Sequence, residues 1–415
     1  MSTAILDQPP ASARAVATPA PAELLEFARR FSVELKKTVV ERELRKELPI
    51  DQVRILRESG LVNLLIPREF GGAGGTNKDA ARVVTELAKG DANVAALLGY
   101  HFINSAIPRL FDFKGGAEEI ERKSAANRWL WGNVSQPNEK NFRADPIPGG
   151  GFVINGVKGW NTGPSLADVT TVLAPRTDRE EILFAYIPTD RKGLVYHEDW
   201  DHLGLRLTDT VTITFDNVEV RPEEVIRSTH GEPQLSFPPY YGGGSTIFAS
   251  YYVGSAWGAF DSAREYTRST TRPRAGGVPA TQDPYILQKY GEFFIQLRAL
   301  DALLDRVADE IDEGWRRRLE LSPDQLGEIQ TRASVIRPLA AKSALDIATR
   351  IFEVTGARAT ASSYGFDRFW RDVRTHSLHD SIDNGIRSLG DYVLNGTLRK
   401  RHSFITKATP EQAQA

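Results

Sequence analysis

The sequence holds no cysteine and a single methionine, Met1. Disulfides, zinc–thiolate sites, iron–sulfur clusters and cysteine nucleophiles are therefore excluded. Three readings of the missing sulfur stay open: compositional drift in a GC-rich genome, a protein made when sulfur is short, or one that handles a peroxide and gains from lacking oxidisable side chains. An excess of one charge is lacking too: 52 Lys+Arg against 54 Asp+Glu leave a formal charge of -2. A nucleic-acid or anionic-membrane binder needs a basic excess, so neither partner is expected. Bilayer-spanning runs are also missing. The longest uncharged stretch, Pro233 to Phe260, contains Pro238, Pro239 and Gly242 to Gly244. Only its second half is expected to be helical, as a buried helix. Met1 to Pro21 is Ala/Pro-rich without the apolar centre of a signal peptide, and reads as a loose tail. Cytoplasmic residence is the expectation. No G-x-S-x-G, H-E-x-x-H or Walker pattern occurs, and no G-x-G-x-x-G follows a strand, which argues against a nicotinamide Rossmann site.

What is present is an ordinary globular composition, 41% hydrophobic and 26% charged over 415 residues, enough for two to four domains. Three textures follow the tail at 1–21. Residues 22–131 read as helices: Leu24, Ala28, Phe31 and Leu35 recur at helical spacing, Asp51 looks like an N-cap, and Thr76 or Asn77 opens another helix. Residues 132–232 carry short β-branched runs such as Val169 to Leu173 and Val211 to Phe215, with Asn155-Gly156 as a hairpin-turn pair. They read as a small antiparallel β-barrel or sandwich. Residues 233–406 read as a four-helix bundle. It has one apolar stripe, from Ile286 through Tyr290, Phe293, Leu297, Leu300, Leu304 and Val307 to Ile311, and a capping box at Ser322-Pro323-Asp324-Gln325. A loose tail, 407–415, follows. The class is α+β.

Four stretches then carry a resemblance: Gly60-Leu61 through Ile66-Pro67-Arg68-Glu69-Phe70-Gly71-Gly72, the hairpin Gly151 to Lys158, Gly204-Leu205-Arg206 with Thr208-Asp209-Thr210 and Phe215 to Val220, and Gly356-Ala357-Arg358 with Arg371-Asp372. Over roughly residues 22–400 the chain resembles the acyl-CoA dehydrogenase superfamily. Those enzymes remove a carbon-bound proton with a Glu. At the usual position in the last bundle helix this chain reads Arg374 to Asp380, and Pro233 to Phe260, the second location, has no acidic residue. The flavin-cradling T-E-P-x-x-G-S-D loop is replaced by Gly132 to Asn138. Tyr364 to Asp380, Gly99-Tyr100-His101, Trp131-Gly132-Asn133, Tyr266-Thr267-Arg268 and Arg272-Pro273 are similar to the dibenzothiophene monooxygenase family. The resemblance implies a two-component flavin monooxygenase. A separate flavin reductase supplies reduced FMN by diffusion, O2 adds to the flavin, and an oxygen passes to a sulfur atom; FAD stays open as the flavin. It also implies a homotetramer, with each flavin site completed by a neighbouring chain.

Such chemistry needs a proton-holding group beside the flavin, a dry pocket and a hydrogen bond near N5. Candidates for catalysis are His379, with Asp380 behind it, His101, and Thr162, which stands where the relative has a flavin-adjacent Ser. His376 joins the cofactor set. Its other members are Asn133, Ser135, Trp160, Thr162 and, for the phosphate, Arg272 and Arg371. Tyr100, Asn104, Trp131, Trp200, Phe237 and Phe248 are the expected substrate wall, suited to a small apolar ligand. Plainer readings remain open: core or surface histidines, a partial metal site at His376/His379/Asp380, tryptophans in the β-core, and arginines in ion pairs. No metal is expected. Other activities also remain open: hydroxylation at nitrogen or carbon, an acyl-CoA dehydrogenase using Asp380 or another base, and a non-catalytic flavin binder.

Overall fold

A computed structural model describes residues 18–111, 116–135, 139, 141–226, 238–273, 277–317, 320–379 and 381–398. Asp380, Phe237 and most of both expected tails lie outside the described residues.

The first region holds α1 (Pro21–Arg45), α2 (Ile50–Glu58), α3 (Asn77–Gly90), α4 (Ala92–Ser105), α5 (Ile107–Phe111) and α6 (Ala117–Asn127). Leu24, Ala28, Phe31 and Leu35 of α1 are buried, as their spacing requires. Thr76 caps α3 in a reciprocal box with Asp79. Asp51 does not cap α2. The helix starts at Ile50, and Asp51 lies in its first turn, where a carboxylate still meets the positive helix end.

The middle region holds β1 (Trp131–Val134), β2 (Arg143–Pro146), β3 (Phe152–Thr162), β4 (Val169–Pro175), β5 (Ile182–Pro188), β6 (Leu194–Tyr196) and β7 (Thr210–Val220). They form one sheet in the order β5-β4-β1-β3-β7-β6, with β2 also on β3. Pairing is antiparallel except between β1 and β4, which run parallel, so the fully antiparallel expectation is corrected. Asn155-Gly156 is not a turn either. It lies inside β3 at a register shift, and the chain reverses before it at Gly149-Gly150, both at positive φ. The sheet bends round a core that includes Ile154, Val172, Ile213 and Phe215.

The last region holds α7 (Pro238–Ser269), α8 (Pro284–Arg317), α9 (Pro323–Ala333), α10 (Ile336–Thr355), α11 (Asp367–His376) and α12 (Ile382–Asn395). Helix α7 begins earlier than expected and runs through Gly242 to Gly244, with prolines at its start, where their missing N–H is harmless. Further along, Gly254 and Gly258 meet the carbonyls of Thr85 and Lys89; an added Cβ would come within 2.3 and 2.4 Å of them. The backbones of α3 and α7 therefore touch, which fixes the first region on the bundle. Helices α7, α8, α9 and α10 pack on one another, and α11 lies against α7 and α10. The apolar stripe of α8 is buried except at the half-buried Tyr290, and Ser322 caps α9 as expected. Among the described residues no helix is long and apolar enough to cross a membrane.

Candidate active site

Helix α4 is the partition of the site. One flank lies against the end of β3: a Cβ on Gly163 would come within 2.8 Å of Leu97. The other flank lies against α7, where the rings of Tyr100 and Phe248 are 5.5 Å apart.

Around Tyr100, aromatic and imidazole rings collect. His376, at the end of α11, is 4% exposed. Its Nδ1 is 2.8 Å from the Tyr252 hydroxyl and its Nε2 is 3.4 Å from the Tyr100 hydroxyl. Phe248 meets its ring edge-on at 4.6 Å, and Tyr251 lies 5.1 Å away. His379, three residues on, is exposed and lies nearly parallel to His376, 5.7 Å between centroids and 9° between planes. It is 5.4 Å from Phe248 and 6.1 Å from Tyr100. The described residues hold no cluster of three metal-ligating groups.

His101 is a different object, and its assignment as a catalyst is corrected. It is fully buried. Its Nε2 donates to the Val62 carbonyl at 2.8 Å, and its Nδ1 accepts from the Trp131 N–H at 3.0 Å. That pair of bonds fixes the neutral tautomer. Burial first, with Arg57 adding to it, pushes its pKa down to about 4. His101 ties α4 to β1. Trp131 is likewise core, not substrate wall: its indole donates to Ser124 Oγ and packs on Trp129 and Tyr186. Asn104 is buried and turned back onto its own helix, donating to Tyr100 O at 2.8 Å.

On the β side, the ends of three strands converge. Asn133 of β1 and Thr210 of β7 both flank Thr162 of β3. Asn133 Oδ1 accepts from Ser135 Oγ at 2.6 Å, and Thr162 Oγ1 accepts from the Thr210 hydroxyl at 3.2 Å. Trp160 sits at a second bulge of β3 with φ +61° and 58% exposure. A positive φ is costly for a residue with a Cβ, and such strain collects at working sites. Asn161 braces the bulge by donating to Lys158 O and Val211 O. The outward Trp160 ring meets Trp200 edge-on at 5.7 Å and His202 at 4.8 Å, and Trp200 stacks on His202 at 3.8 Å.

The two phosphate candidates part company. Arg371 is fully engaged by protein groups. Its guanidinium donates to both Glu43 oxygens at 2.7 and 2.8 Å, to Asp367 at 2.8 Å and to Leu203 O at 3.1 Å. It clamps α1, α11 and the loop after β6, so its phosphate role is corrected. Arg272 is exposed, just beyond α7.

Profiles of three acyl-CoA dehydrogenase domains match the chain: the N-terminal domain over residues 18–123, the middle domain over 137–218 and the C-terminal domain over 246–384. The dibenzothiophene monooxygenase of Mycolicibacterium goodii is 37% identical over 391 residues, 89% of this chain and 93% of that protein. A probable FMNH2-dependent monooxygenase of Pseudomonas putida, SfnC, is 34% identical over 382 residues, 90% of this chain and 95% of that protein. The crystal structure of FMN-bound TdsC from Paenibacillus sp. A11-2 matches with TM-score 0.86 at 34% identity, over 92% of this chain and 100% of that one. The chain belongs to the acyl-CoA dehydrogenase superfamily, in its flavin monooxygenase branch.

The α+β arrangement of that superfamily, helices then sheet then helices, is the one the sequence implied. Sequence reasoning missed three aromatic members of the site. Tyr251 and Tyr252 lie in the uncharged run from which only Phe237 and Phe248 had been singled out. His202 lies in a loop, and nothing but its neighbour Trp200 marked it. The residues present fit a flavin on both counts that the fold allows to be tested: a strained, outward Trp160 offers a ring face, and the buried Thr162 hydroxyl beside it offers a polar contact.

Proposed function

We infer that the chain is a flavin-dependent monooxygenase that takes reduced FMN from a separate reductase and oxygenates an apolar, sulfur-containing small molecule with O2. The observation that carries this reading is the paired imidazole of His376 and His379, where dehydrogenases of the superfamily use a carboxylate. A carboxylate is suited to stripping a carbon acid. An imidazole, ionising near neutrality, is suited to holding and returning a proton. His379, the exposed member of the pair, holds that proton. His376, fixed between the Tyr252 and Tyr100 hydroxyls, backs it and keeps its ring in plane.

Reduced FMN, when bound, supplies the electrons that activate O2. The chain's own residues do the rest. Trp160 and Trp200 would offer the flavin ring an aromatic wall, and the Thr162 hydroxyl would offer it a polar contact. Asn133 and Ser135 line the adjoining strand end. Phe248, Tyr100 and Tyr251 keep water from the reacting side and give an apolar substrate its surface. Arg272 meets the phosphate from the surface. Exposed apolar side chains of α8 (Tyr285, Phe294, Ile295) and α12 (Val393, Leu394) suit a homotetramer in which a neighbouring chain completes that end. The FMN in TdsC and the FMNH2 in the name of SfnC favour FMN over FAD. The dibenzothiophene relative, together with a chain nearly free of sulfur, favours a sulfur substrate made available when sulfur is scarce.

The test is single-turnover incubation of the protein with chemically reduced FMN, 18O2 and a panel of thiophenes, thioethers, amines and phenols. One 18O on sulfur is the expected product. A hydroxylamine or phenol product with no sulfoxide would overturn the sulfur assignment. Tight FAD bleached by an acyl-CoA without oxygen, and no labelled product, would overturn the monooxygenase reading.

A further inference from the structure

We propose that the seam between α7 and α11 is a buried proton path: ordered water there joins Tyr251, Ser255 and Arg368 to Asp372, and Tyr251 is the positioning residue through which this water serves His376. The catalytic half of this proposal rests on the reading that the His376 and His379 pair holds the working proton; the hydration of the seam does not.

The two helices set the seam. On α11, Arg368, Asp372 and His376 follow one another at intervals of four, so they share one face, and all three are buried. On α7, Tyr251 and Ser255 are one turn apart, and Gly258 continues the same face. The Tyr251 ring lies 5.1 Å from His376. A Cβ on Gly258 would come within 2.8 Å of the Phe369 ring. The helices therefore run antiparallel here, with Ser255 opposite the middle of the α11 face, where Asp372 stands.

Donors outnumber acceptors in that seam. Among the described residues, the buried Tyr251 hydroxyl, Ser255 hydroxyl and Arg368 Nε and Nη1 meet no hydrogen-bonding partner. The Arg368 guanidinium lies over the Phe369 ring, 3.7 Å from its centre, which leaves the in-plane N–H groups to find acceptors elsewhere. Arg42 Nη1, beside the Arg42–Asp91 ion pair, is in the same position. Buried polar groups are costly unless something small and polar reaches them, and protein interiors use water for this. The surrounding charges give that water its acceptors. Burial pushes the Tyr251 phenol well above its ordinary pKa, and Asp372, Tyr252, Asp91 and Tyr100 add to it in that order. Burial lowers the pKa of Arg368, and Asp372, Asp91 and Glu43 offset the shift. Glu43 is taken by Arg371. Asp372 accepts the Leu205 N–H on Oδ1, and a carboxylate has room for about four bonds, so lone pairs remain for water.

The path ends at the imidazoles. Tyr252 and Tyr100, the two phenols that act on Tyr251, are those whose hydroxyls hold His376 Nδ1 and Nε2. A proton crosses such a chain by hopping: each oxygen accepts one hydrogen and releases another, so no oxidant or reductant is needed. Asp372 is the reserve at the inner end. Burial, with Glu43 adding to it against Arg371 and Arg368, pushes its pKa up to about 7. An apolar substrate lying over the exposed His379 shuts the outer route to bulk water, and the inner route stays open. After the product leaves, His379 takes a proton from bulk water and the same path refills Asp372.

Three measurements on the full chain test this. Crystals of wild type are expected to show ordered water within hydrogen-bond distance of Tyr251 Oη and Arg368, and a seam closed by side chains alone overturns the proposal. Tyr251→Phe is expected to lower the urea midpoint, because the water loses a partner. A raised midpoint means that the hydroxyl was simply buried unpaired, and overturns the hydration. Single-turnover product formation follows, with reduced FMN, O2 and the thiophene or thioether that wild type oxygenates fastest. Tyr251→Phe is expected to slow it by about 10-fold or more and to change its solvent deuterium isotope effect, with FMN and substrate dissociation constants within about twofold of wild type. Ser255→Ala moves the same way by less, and carries all the comparisons should Tyr251→Phe fail to fold. A wild-type rate and isotope effect in Tyr251→Phe, or a loss explained by weaker binding, overturns the path. Wild type that oxygenates none of these compounds overturns the proposed function and the catalytic half with it, while the crystals and the urea midpoint still decide the seam.

Discussion

Tyr100 and His101 are neighbours on α4, yet they belong to two regions built on opposite rules. His101 faces β1 and is held by a backbone carbonyl and a backbone N–H, groups that neither gain nor lose a proton at ordinary pH. Tyr100 faces α7 and α11, where His376 is held by two phenol hydroxyls and backs an exposed second imidazole. The first arrangement freezes an imidazole in one protonation state; the second keeps one in contact with groups that can rotate and exchange hydrogens. The same side chain is thus bound by backbone groups in one region and by hydroxyls in the other, and the partners, not the residue type, set the difference.

The comparison breaks most visibly at His379. His379→Ala should lower product formation by about 10²–10⁴, the range of a lost general acid–base. The melting temperature should barely change, because an exposed ring carries little packing. A variant with full activity would move the working imidazole elsewhere. The arginines repeat the contrast. Arg371→Ala leaves Glu43 buried without its partner and should cost about 3–5 kcal/mol of unfolding free energy, read by urea titration. Arg272→Ala should leave stability within about 0.5 kcal/mol while weakening FMN binding. In the first region, His101→Phe strands the Val62 carbonyl and the Trp131 N–H. A loss of about 2–3 kcal/mol is expected, with turnover per folded molecule unchanged. Lost turnover at preserved stability would return His101 to the catalytic set.

Much of the fold was legible because it is written in local patterns: the stripe of α8, the caps at Thr76 and Ser322, the β-branched runs of β4 and β7. What failed were features decided by partners distant in sequence. Asn155-Gly156 has turn chemistry, but β2 and β7 hold it inside a strand on both sides. The site followed the same rule. His376, Phe248, Thr162 and Trp160 were singled out from residue type and resemblance. His101, Trp131, Asn104 and Arg371 carry equally suggestive side chains, but a carbonyl, a serine, a turn of helix and Glu43 claim them. Nothing in the sequence shows which polar side chain the fold has already satisfied.

The smallest effect is also the sharpest, because two buried groups titrate in opposite senses. His101 has its pKa pushed down to about 4, below its unfolded value near 6.5. Between those limits the unfolded chain binds the extra proton, so stability rises with pH. Asp372 has its pKa pushed up to about 7 by burial, with Glu43 adding to it, above an unfolded value of 3.8. There the native state holds the extra proton, so stability falls as pH rises from about 4 to about 7. From about pH 4 to about 6.5 the two slopes offset each other. Asp372→Asn keeps an oxygen for the Leu205 N–H but removes the titration. Relative to wild type its stability should therefore climb with pH, by up to about 1.4 kcal/mol per unit. His101→Phe should show the reverse difference over the same window. Urea unfolding at about pH 4.5, 5.5 and 6.5 separates them, and parallel profiles for both variants would mean that neither group titrates where its burial puts it.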